Sequence, residues 1–79
     1  MADIAHAVVK VKFDTERLGR MVKACRDTNR LSLRDVEQIT GISASTLSRI
    51  EKGYTPDIET FGQLCEFLRA NPEQFFYVD

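Results

Sequence analysis

Hydrophobic residues recur along the chain at the three- and four-residue spacing of short amphipathic helices. The first set falls in residues 14–30 and consists of Leu18, Met21, Val22 and Cys25. These positions lie on one face of a helix, and Asp14 or Thr15 can cap its first turn. The pattern predicts a first helix that packs this face on a core and turns basic residues outward.

A second helix is predicted in residues 32–40. Ser32 and Asp35 have the spacing of a capping box, in which each side chain accepts a hydrogen bond from the backbone N–H of the other residue. Val36 and Ile39 supply the apolar positions of this helix. Gly41 is suited to the left-handed conformation that commonly ends a helix.

A third helix is predicted over residues 44–52. Ser43 is its expected N-cap, and Leu47 and Ile50 are its inward-facing residues. Gly53 is expected to end it.

The link between the second and third helices is only three residues long and consists of Gly41, Ile42 and Ser43. So short a link forces a sharp angle between the two helices, which is the geometry of a helix-turn-helix. Ile42 is the apolar residue of the link and is expected to fill the corner between them. The two helices should then share a small core formed by Val36, Ile42, Leu47 and Ile50.

The C-terminal part predicts two more helices. Asp57 caps a fourth helix, whose expected apolar face is Ile58, Phe61, Leu64, Cys65 and Leu68. Asn71, Pro72 and Glu73 are typical of a helix start, which predicts a short fifth helix ending near Phe76. The fold predicted from these patterns is an all-α domain of five helices.

The first residues follow a different period. Val9, Val11 and Phe13 alternate with Lys10 and Lys12, as in a short strand or an extended arm. A lone strand is not stable, so it either pairs with residues 77–78 of its own chain, pairs across a dimer, or remains an arm. We therefore divide the chain into an arm or strand, residues 1–12, and a helical domain, residues 13–79.

Charge is distributed unevenly although the net charge is only −1. Residues 10–52 hold ten of the eleven Lys and Arg residues and six acidic ones, a net +4, whereas residues 53–79 hold one and five, a net −4. A basic half suits a polyanion such as nucleic acid. The acidic, aromatic half suits a protein partner or a contact between subunits.

Other classes of function find little support in the sequence. No apolar run is long enough for a membrane span and no signal-peptide pattern is present, so we expect a cytoplasmic protein. Cys25 and Cys65 lie 40 residues apart without a metal-binding spacing, so we expect free thiols and no metal, with a disulfide as the alternative. The single histidine, His6, and both cysteines lack a catalytic partner, and we expect no enzyme activity and no cofactor.

The segment SLRDVEQITGISASTLSRIEKG, residues 32–53, resembles the helix-turn-helix of the lambda-repressor-like Cro/XRE family. Its most specific parts are the turn GIS and the run LSRIEKG that closes the third helix. The resemblance spans residues 13–76. It implies a lambda-repressor-like fold, in which the third helix lies in the major groove of double-stranded DNA.

The resemblance also implies roles for single residues. The base-reading positions of the family correspond here to Ala44, Ser45 and Arg49, and Thr46 and Ser48 can reach bases or phosphates. Arg49 is the strongest candidate because a guanidinium binds the O6 and N7 atoms of guanine together. Ala44 can touch a thymine methyl group, and Ser45 discriminates weakly between bases.

Contacts to DNA phosphates are expected from Ser43, Arg34, Lys52, Arg17 and Arg26. Lys52 can instead offset the dipole at the end of the third helix, and Arg17 can be an ordinary solvated charge. The resemblance pairs Arg26 with Glu51 as an ion pair that joins the first and third helices. The structural positions that it implies are Arg26, Glu51, Gly41 and Ile42.

Two positions depart from the family pattern. Leu33 stands where many relatives carry a glutamine that holds the DNA backbone, so Arg34 is expected to supply that contact. Glu37 stands where many relatives carry alanine, and its carboxylate must point to water.

Together these features predict a sequence-specific DNA-binding regulator of transcription, acting as a repressor, that binds a near-palindromic operator as a homodimer. The alternative is an antitoxin-like or adaptor protein whose main role is to bind a small protein partner. Two dimer surfaces remain open, the C-terminal helix with its tail and the N-terminal strand.

Overall fold

The computed structural model describes residues 9–79, so the first eight residues of the arm or strand predicted over residues 1–12 lie outside the described residues. Residues 9–79 form four α-helices and one 3₁₀ turn. One short strand precedes the first helix, and a second follows the 3₁₀ turn. The elements are β1 (Val11–Phe13), α1 (Thr15–Thr28), α2 (Leu33–Thr40), α3 (Ala44–Glu51), α4 (Ile58–Leu68), the 3₁₀ turn (Pro72–Phe75) and β2 (Phe76–Val78).

The prediction of an all-α domain of five helices is confirmed in part: residues 9–79 are mostly helical, but they form four α-helices and the predicted fifth helix is a 3₁₀ turn. The segment Pro72–Phe75 is a single 3₁₀ turn, closed by a hydrogen bond from the N–H of Phe76 to the carbonyl of Glu73. The side chain of Phe75 is fully buried, and its carbonyl accepts a hydrogen bond of 2.6 Å from the N–H of Asp14. This bond holds the chain beside β1, and the following residues extend as β2 instead of continuing a helix.

The N-terminal strand pairs within its own chain, which was one of the three alternatives. β1 and β2 are antiparallel, with Val11 opposite Val78, Lys12 opposite Tyr77 and Phe13 opposite Phe76. The Phe13 and Phe76 rings stack with centroids 5.2 Å apart, and Phe13 lies edge-on to Phe61 of α4 at 4.8 Å. These aromatic contacts fasten the two strands to the helical core.

The core contains most of the residues that the helical spacing predicted. Its buried apolar residues are Leu18, Val22, Val36, Ile42, Leu47, Ile50, Phe61, Leu64, Cys65 and Phe75. Ile39 and Ile58 are exceptions, since they are 60% and 79% exposed. Ile58 is the first residue of α4 and precedes the turns that reach the core, while Ile39 lies in the last turn of α2 beside a surface groove.

The predicted helix starts are present in the structure. The Ser32 hydroxyl accepts from the N–H of Asp35 at 3.0 Å, and the Asp35 carboxylate accepts from the N–H of Ser32 at 2.8 Å. The Asp57 carboxylate accepts from the N–H of Thr60 at 2.7 Å. Because these backbone bonds favour the charged form, they lower the pKa of Asp35 and of Asp57. Both caps therefore stabilise the fold at pH values above the ordinary aspartate pKa. This stabilisation is lost as the pH falls through the lowered pKa values of the two carboxyl groups.

Candidate nucleic-acid interface

The turn between α2 and α3 is fixed by backbone conformation and one threonine. Gly41 has φ of 77°, in the left-handed region that glycine adopts without strain. The Thr40 hydroxyl donates to the carbonyl of Val36 at 2.8 Å and accepts from the N–H of Ile42 at 3.1 Å. Ile42 is only 5% exposed, so it fills the corner as predicted. Thr40 was not singled out from the sequence, because its role depends on the turn geometry.

The first turn of α3 is organised by the Ser43 hydroxyl. Its oxygen accepts from the N–H of Thr46 at 3.2 Å, and its proton is directed to the hydroxyl oxygen of Thr46 at 2.9 Å. Ser43 thus uses its single proton inside the protein, whereas Thr46 keeps its own proton for an outside acceptor. If a hydroxyl donates to a phosphate here, the geometry favours that of Thr46.

The outward face of α3 carries four of the predicted contact residues. Leu47 and Ile50 are buried and set the orientation of the helix. At helical spacing, the opposite face is formed by Ser45, Ser48, Arg49 and Lys52. Ser45, Arg49 and Lys52 are exposed and Ser48 is half-buried, as are Ala44 and Thr46, which flank this face. We call the set Ser45, Ser48, Arg49 and Lys52 the outward stripe.

Arg49 is the only residue of the outward stripe with a guanidinium group. It is exposed, and within residues 9–79 it makes no ion pair. Its neighbours Ser45 and Ser48 have short side chains, so the helix can approach a surface closely while Arg49 extends beyond it. Such a stripe suits a groove that presents hydrogen-bond acceptors.

The ion pair between Arg26 and Glu51 joins α1 to the end of α3. Nε of Arg26 donates to one carboxylate oxygen at 2.8 Å and Nη2 donates to the other at 2.9 Å. The two side chains are only 17% and 11% exposed. The hydrogen bond to Glu51 and its charge raise the pKa of Arg26 above the ordinary value, against the opposing effect of burial.

Arg26 also reaches the connection between α1 and α2. Its Nη1 donates to the carbonyl of Leu31 at 3.2 Å, so three of its five N–H groups are engaged inside the protein. The contacts give it a structural role first. A phosphate contact from Arg26 would have to use the remaining two N–H groups.

The remaining predicted phosphate contacts lie at helix ends. Arg17 is exposed in the first turn of α1, Arg34 in the first turn of α2, and Lys52 directly after α3. Within the described residues none of the three forms an ion pair. Leu33, beside Arg34, packs against the core, which leaves Arg34 as the basic side chain in the first turn of α2.

Gly19 positions α3 and was missed by the sequence analysis. A Cβ atom at this residue would lie 2.5 Å from the carbonyl oxygen of Ile50 and 3.1 Å from that of Glu51. The backbones of α1 and α3 therefore touch at Gly19, and no larger residue fits without a shift. The available signal was a glycine inside a helical pattern, which often has a packing reason.

Metal sites, membrane-spanning helices and the two cysteines are the remaining features of residues 9–79. In residues 9–79 no group of three or more His, Cys, Asp or Glu residues could hold a metal ion. No helix in that part of the chain is long and apolar enough to cross a bilayer. Cys25 and Cys65 are both free thiols, Cys25 is half-buried, and burial raises the pKa of the Cys65 thiol.

Comparison with known proteins identifies one family. A family model described as helix-turn-helix matches residues 22–75. The match begins within α1, contains the whole of α2, the turn and α3, and ends at the buried Phe75. No curated protein and no solved structure matches the chain.

Proposed function

Because this chain belongs to the Cro/C1-type helix-turn-helix family, whose members are DNA-binding regulators, we propose that it binds a specific duplex sequence with α3 in the major groove. The observation that carries the proposal is the outward stripe, in which Arg49 extends beyond the small residues Ser45 and Ser48. A guanidinium in the major groove can bind the O6 and N7 atoms of guanine. The protein acts as a repressor that occupies a near-palindromic operator as a homodimer.

In this proposal each remaining residue has one of two roles. Ser45 and Ser48 contact base edges, and the flanking Ala44 touches a thymine methyl group. Arg34, Arg17 and Lys52 contact phosphates, which position the helix without reading sequence. The Thr46 hydroxyl, the two remaining N–H groups of Arg26 and the exposed Arg30 also contact the DNA backbone, and Ser43 remains the cap of α3.

Replacing Arg49 by alanine is expected to weaken binding to the preferred duplex by about 1–3 kcal/mol, roughly 5- to 150-fold. Binding to a scrambled duplex should change much less, because only the bidentate base contact is lost. Fluorescence anisotropy with both duplexes at one salt concentration measures the difference. Arg69→Ala, in the acidic half of the chain, is the matched control and should bind like the parent. Equal losses on both duplexes would contradict the base-reading role of Arg49.

A second pair of variants separates DNA binding from stability. Arg30 and Arg69 both have a left-handed backbone, with φ of 55° and 52°, which costs a non-glycine residue about 1–2 kcal/mol. Glycine removes that strain but frees the unfolded chain by about 0.4–1 kcal/mol. Both Arg30→Gly and Arg69→Gly are therefore expected to stabilise the fold by roughly 0.5–1 kcal/mol in urea unfolding.

Only Arg30→Gly is expected to weaken DNA binding, because Arg30 lies in the basic half, between α1 and the phosphate-contacting start of α2. It should lower the slope of log affinity against log salt by about 1, the loss of one phosphate contact. The Arg69→Gly protein should keep the parent slope. If Arg30→Gly also keeps that slope, Arg30 does not contact phosphate.

The alternative function is binding of a small protein partner, as in an antitoxin or adaptor. A groove of about 330 Å³ between α2 and α4 favours it, lined by Ile39, Thr40, Gln63, Glu66 and Phe67. The exposed Ile39 and the carboxylate of Glu66 suit an apolar segment with a basic residue. Co-purification of such a partner with a protein that lacks affinity for duplex DNA would favour this function over the first.

A further inference from the structure

The two-stranded sheet has one apolar face that only part of the core covers. Directly opposite residues share a face, so the pair Val11–Val78 lies on the same face as the pair Phe13–Phe76. The phenylalanine pair packs on Phe61. Val11 and Val78 are 56% and 72% exposed, and Val9, at the same end of the sheet, is 67% exposed. The apolar face therefore continues past the core into solvent.

Each strand of this sheet has one open edge. In the antiparallel ladder the N–H of Asp14 bonds to Phe75 and the N–H of Asp79 bonds to Lys10, so every second residue directs its backbone groups to the neighbouring strand. On β2 the intervening residues are Phe76 and Val78. Their backbone N–H and C=O groups point away from β1, toward the open edge of the sheet. The N–H of Phe76 is used by Glu73. The outer edge of β2 thus offers the carbonyl of Phe76 and both backbone groups of Val78.

The two edges differ in whether they can accept a second copy of this chain. About a two-fold axis, pairing of β1 with β1 centred on Val11 would place Lys10 of each copy opposite Lys12 of the other. Like charges directly opposite are destabilising, and edge lysines commonly block such pairing. Pairing of β2 with β2 centred on Tyr77 instead places Phe76 of each copy opposite Val78 of the other, without any charge.

We propose that two copies associate through their β2 edges, antiparallel and centred on Tyr77, to form one four-stranded sheet. The N–H of each Val78 then donates to the carbonyl of Phe76 in the second copy. Each exposed Val78 side chain also lies beside the Phe76 ring of the other copy, which is already stacked on its core. The same surface serves both subunits, as a two-fold dimer requires.

This interface rests on the proposed function only in that a near-palindromic operator calls for a dimer. The proposal also assigns the contact to one of the two dimer surfaces considered from the sequence. The outer edge of the C-terminal strand β2 forms the interface, while the N-terminal strand β1 pairs with the inner edge of β2 in the same chain.

Tyr77→Cys tests the register directly. In the proposed pairing the two Tyr77 residues form a non-hydrogen-bonded pair, whose Cα atoms are typically about 4.5 Å apart, within the range of a disulfide. Lys12→Cys is the matched control, because Lys12 lies beside Tyr77 on the same face. The two Lys12 residues would be three strand spacings apart, about 14 Å.

Under mild oxidation without DNA, Tyr77→Cys is expected to give a covalent dimer, with residue 77 linked to residue 77 in the peptide mass spectrum. Lys12→Cys is expected to remain uncrosslinked. Failure of Tyr77→Cys to form this link, or equal crosslinking of Lys12→Cys, would overturn the register.

Val78→Asp tests the interface without a crosslink. Because Val78 is largely exposed, the variant should fold like the parent by circular dichroism. Placing a carboxylate beside the Phe76 ring of the other copy should weaken the dimer at least about tenfold in sedimentation equilibrium. Ile58→Asp, at a similarly exposed site on α4, should leave it unchanged. A monomeric parent, or an unchanged dimer of Val78→Asp, would overturn the proposal, whereas the Arg49 measurement on duplex DNA would still decide the proposed function.

Discussion

Replacing Gly19 by alanine is expected to lower the free energy of unfolding by about 2 kcal/mol. The added methyl group would lie 2.5 Å from the carbonyl oxygen of Ile50, so α1 and α3 must move apart. Overpacking of this kind costs about 1–3 kcal/mol, occasionally more. Here the obstacle is backbone, which cannot turn away like a side chain, so we take the upper end and subtract about 1 kcal/mol for the better helix propensity of alanine.

Gly62 supplies a matched control for this experiment. It also lies inside a helix, α4, but it is exposed and a Cβ atom there would meet nothing within 4 Å. Gly62→Ala should therefore raise the free energy of unfolding by roughly 0.5–1 kcal/mol. Urea unfolding of both variants measures the difference. A stabilised Gly19→Ala protein would show that α1 and α3 do not meet at Gly19.

Removing either partner of the Arg26–Glu51 pair is expected to cost about 2–3 kcal/mol of stability. The pair is bidentate and mostly buried, so Arg26→Met leaves the carboxylate of Glu51 desolvated without a donor. Glu51→Leu likewise leaves the guanidinium of Arg26 desolvated without its carboxylate acceptor. An unpaired group of this kind costs more than the net value of the pair itself.

The double variant, Arg26→Met with Glu51→Leu, is expected to lose less than the sum of the two single variants. Apolar side chains of similar size can replace a buried ion pair at little cost. A double-mutant cycle in urea should give a coupling energy of at least about 1 kcal/mol. Additive losses would mean that the two side chains act independently and that α3 is held in place by packing alone.

Local signals allowed much of the fold to be predicted from the sequence. The capping box of Ser32 and Asp35, the N-caps Ser43 and Asp57, and the left-handed Gly41 each depend on residues within one helical turn. The spacing of Leu47 and Ile50 likewise determines the orientation of α3, and from it the outward position of Arg49. Patterns that span only one or two helical turns can be interpreted without knowing which distant residues pack against them.

The features that were mispredicted or missed depend on distant partners. The segment after Asn71 begins helically as predicted, but it stops after one 3₁₀ turn, because the hydrogen bond from Asp14 to Phe75 and the pairing of β2 with β1 hold the following residues extended. The role of Gly19 depends on Ile50 and Glu51, some thirty residues later. The partnership of Arg26 with Glu51 was predicted only through the family resemblance, since no spacing rule connects two residues so far apart in the chain.

The central claim is that α3 reads duplex DNA, with Arg49 as its main base contact, in a protein that binds as a dimer. The most direct test is selection of bound sites from a pool of random duplexes, performed with the parent protein and with Arg49→Ala. The parent should enrich two inverted half-sites about one helical turn apart, each with a guanine that the variant no longer selects. Recovery of no enriched sequence by the parent would contradict the claim.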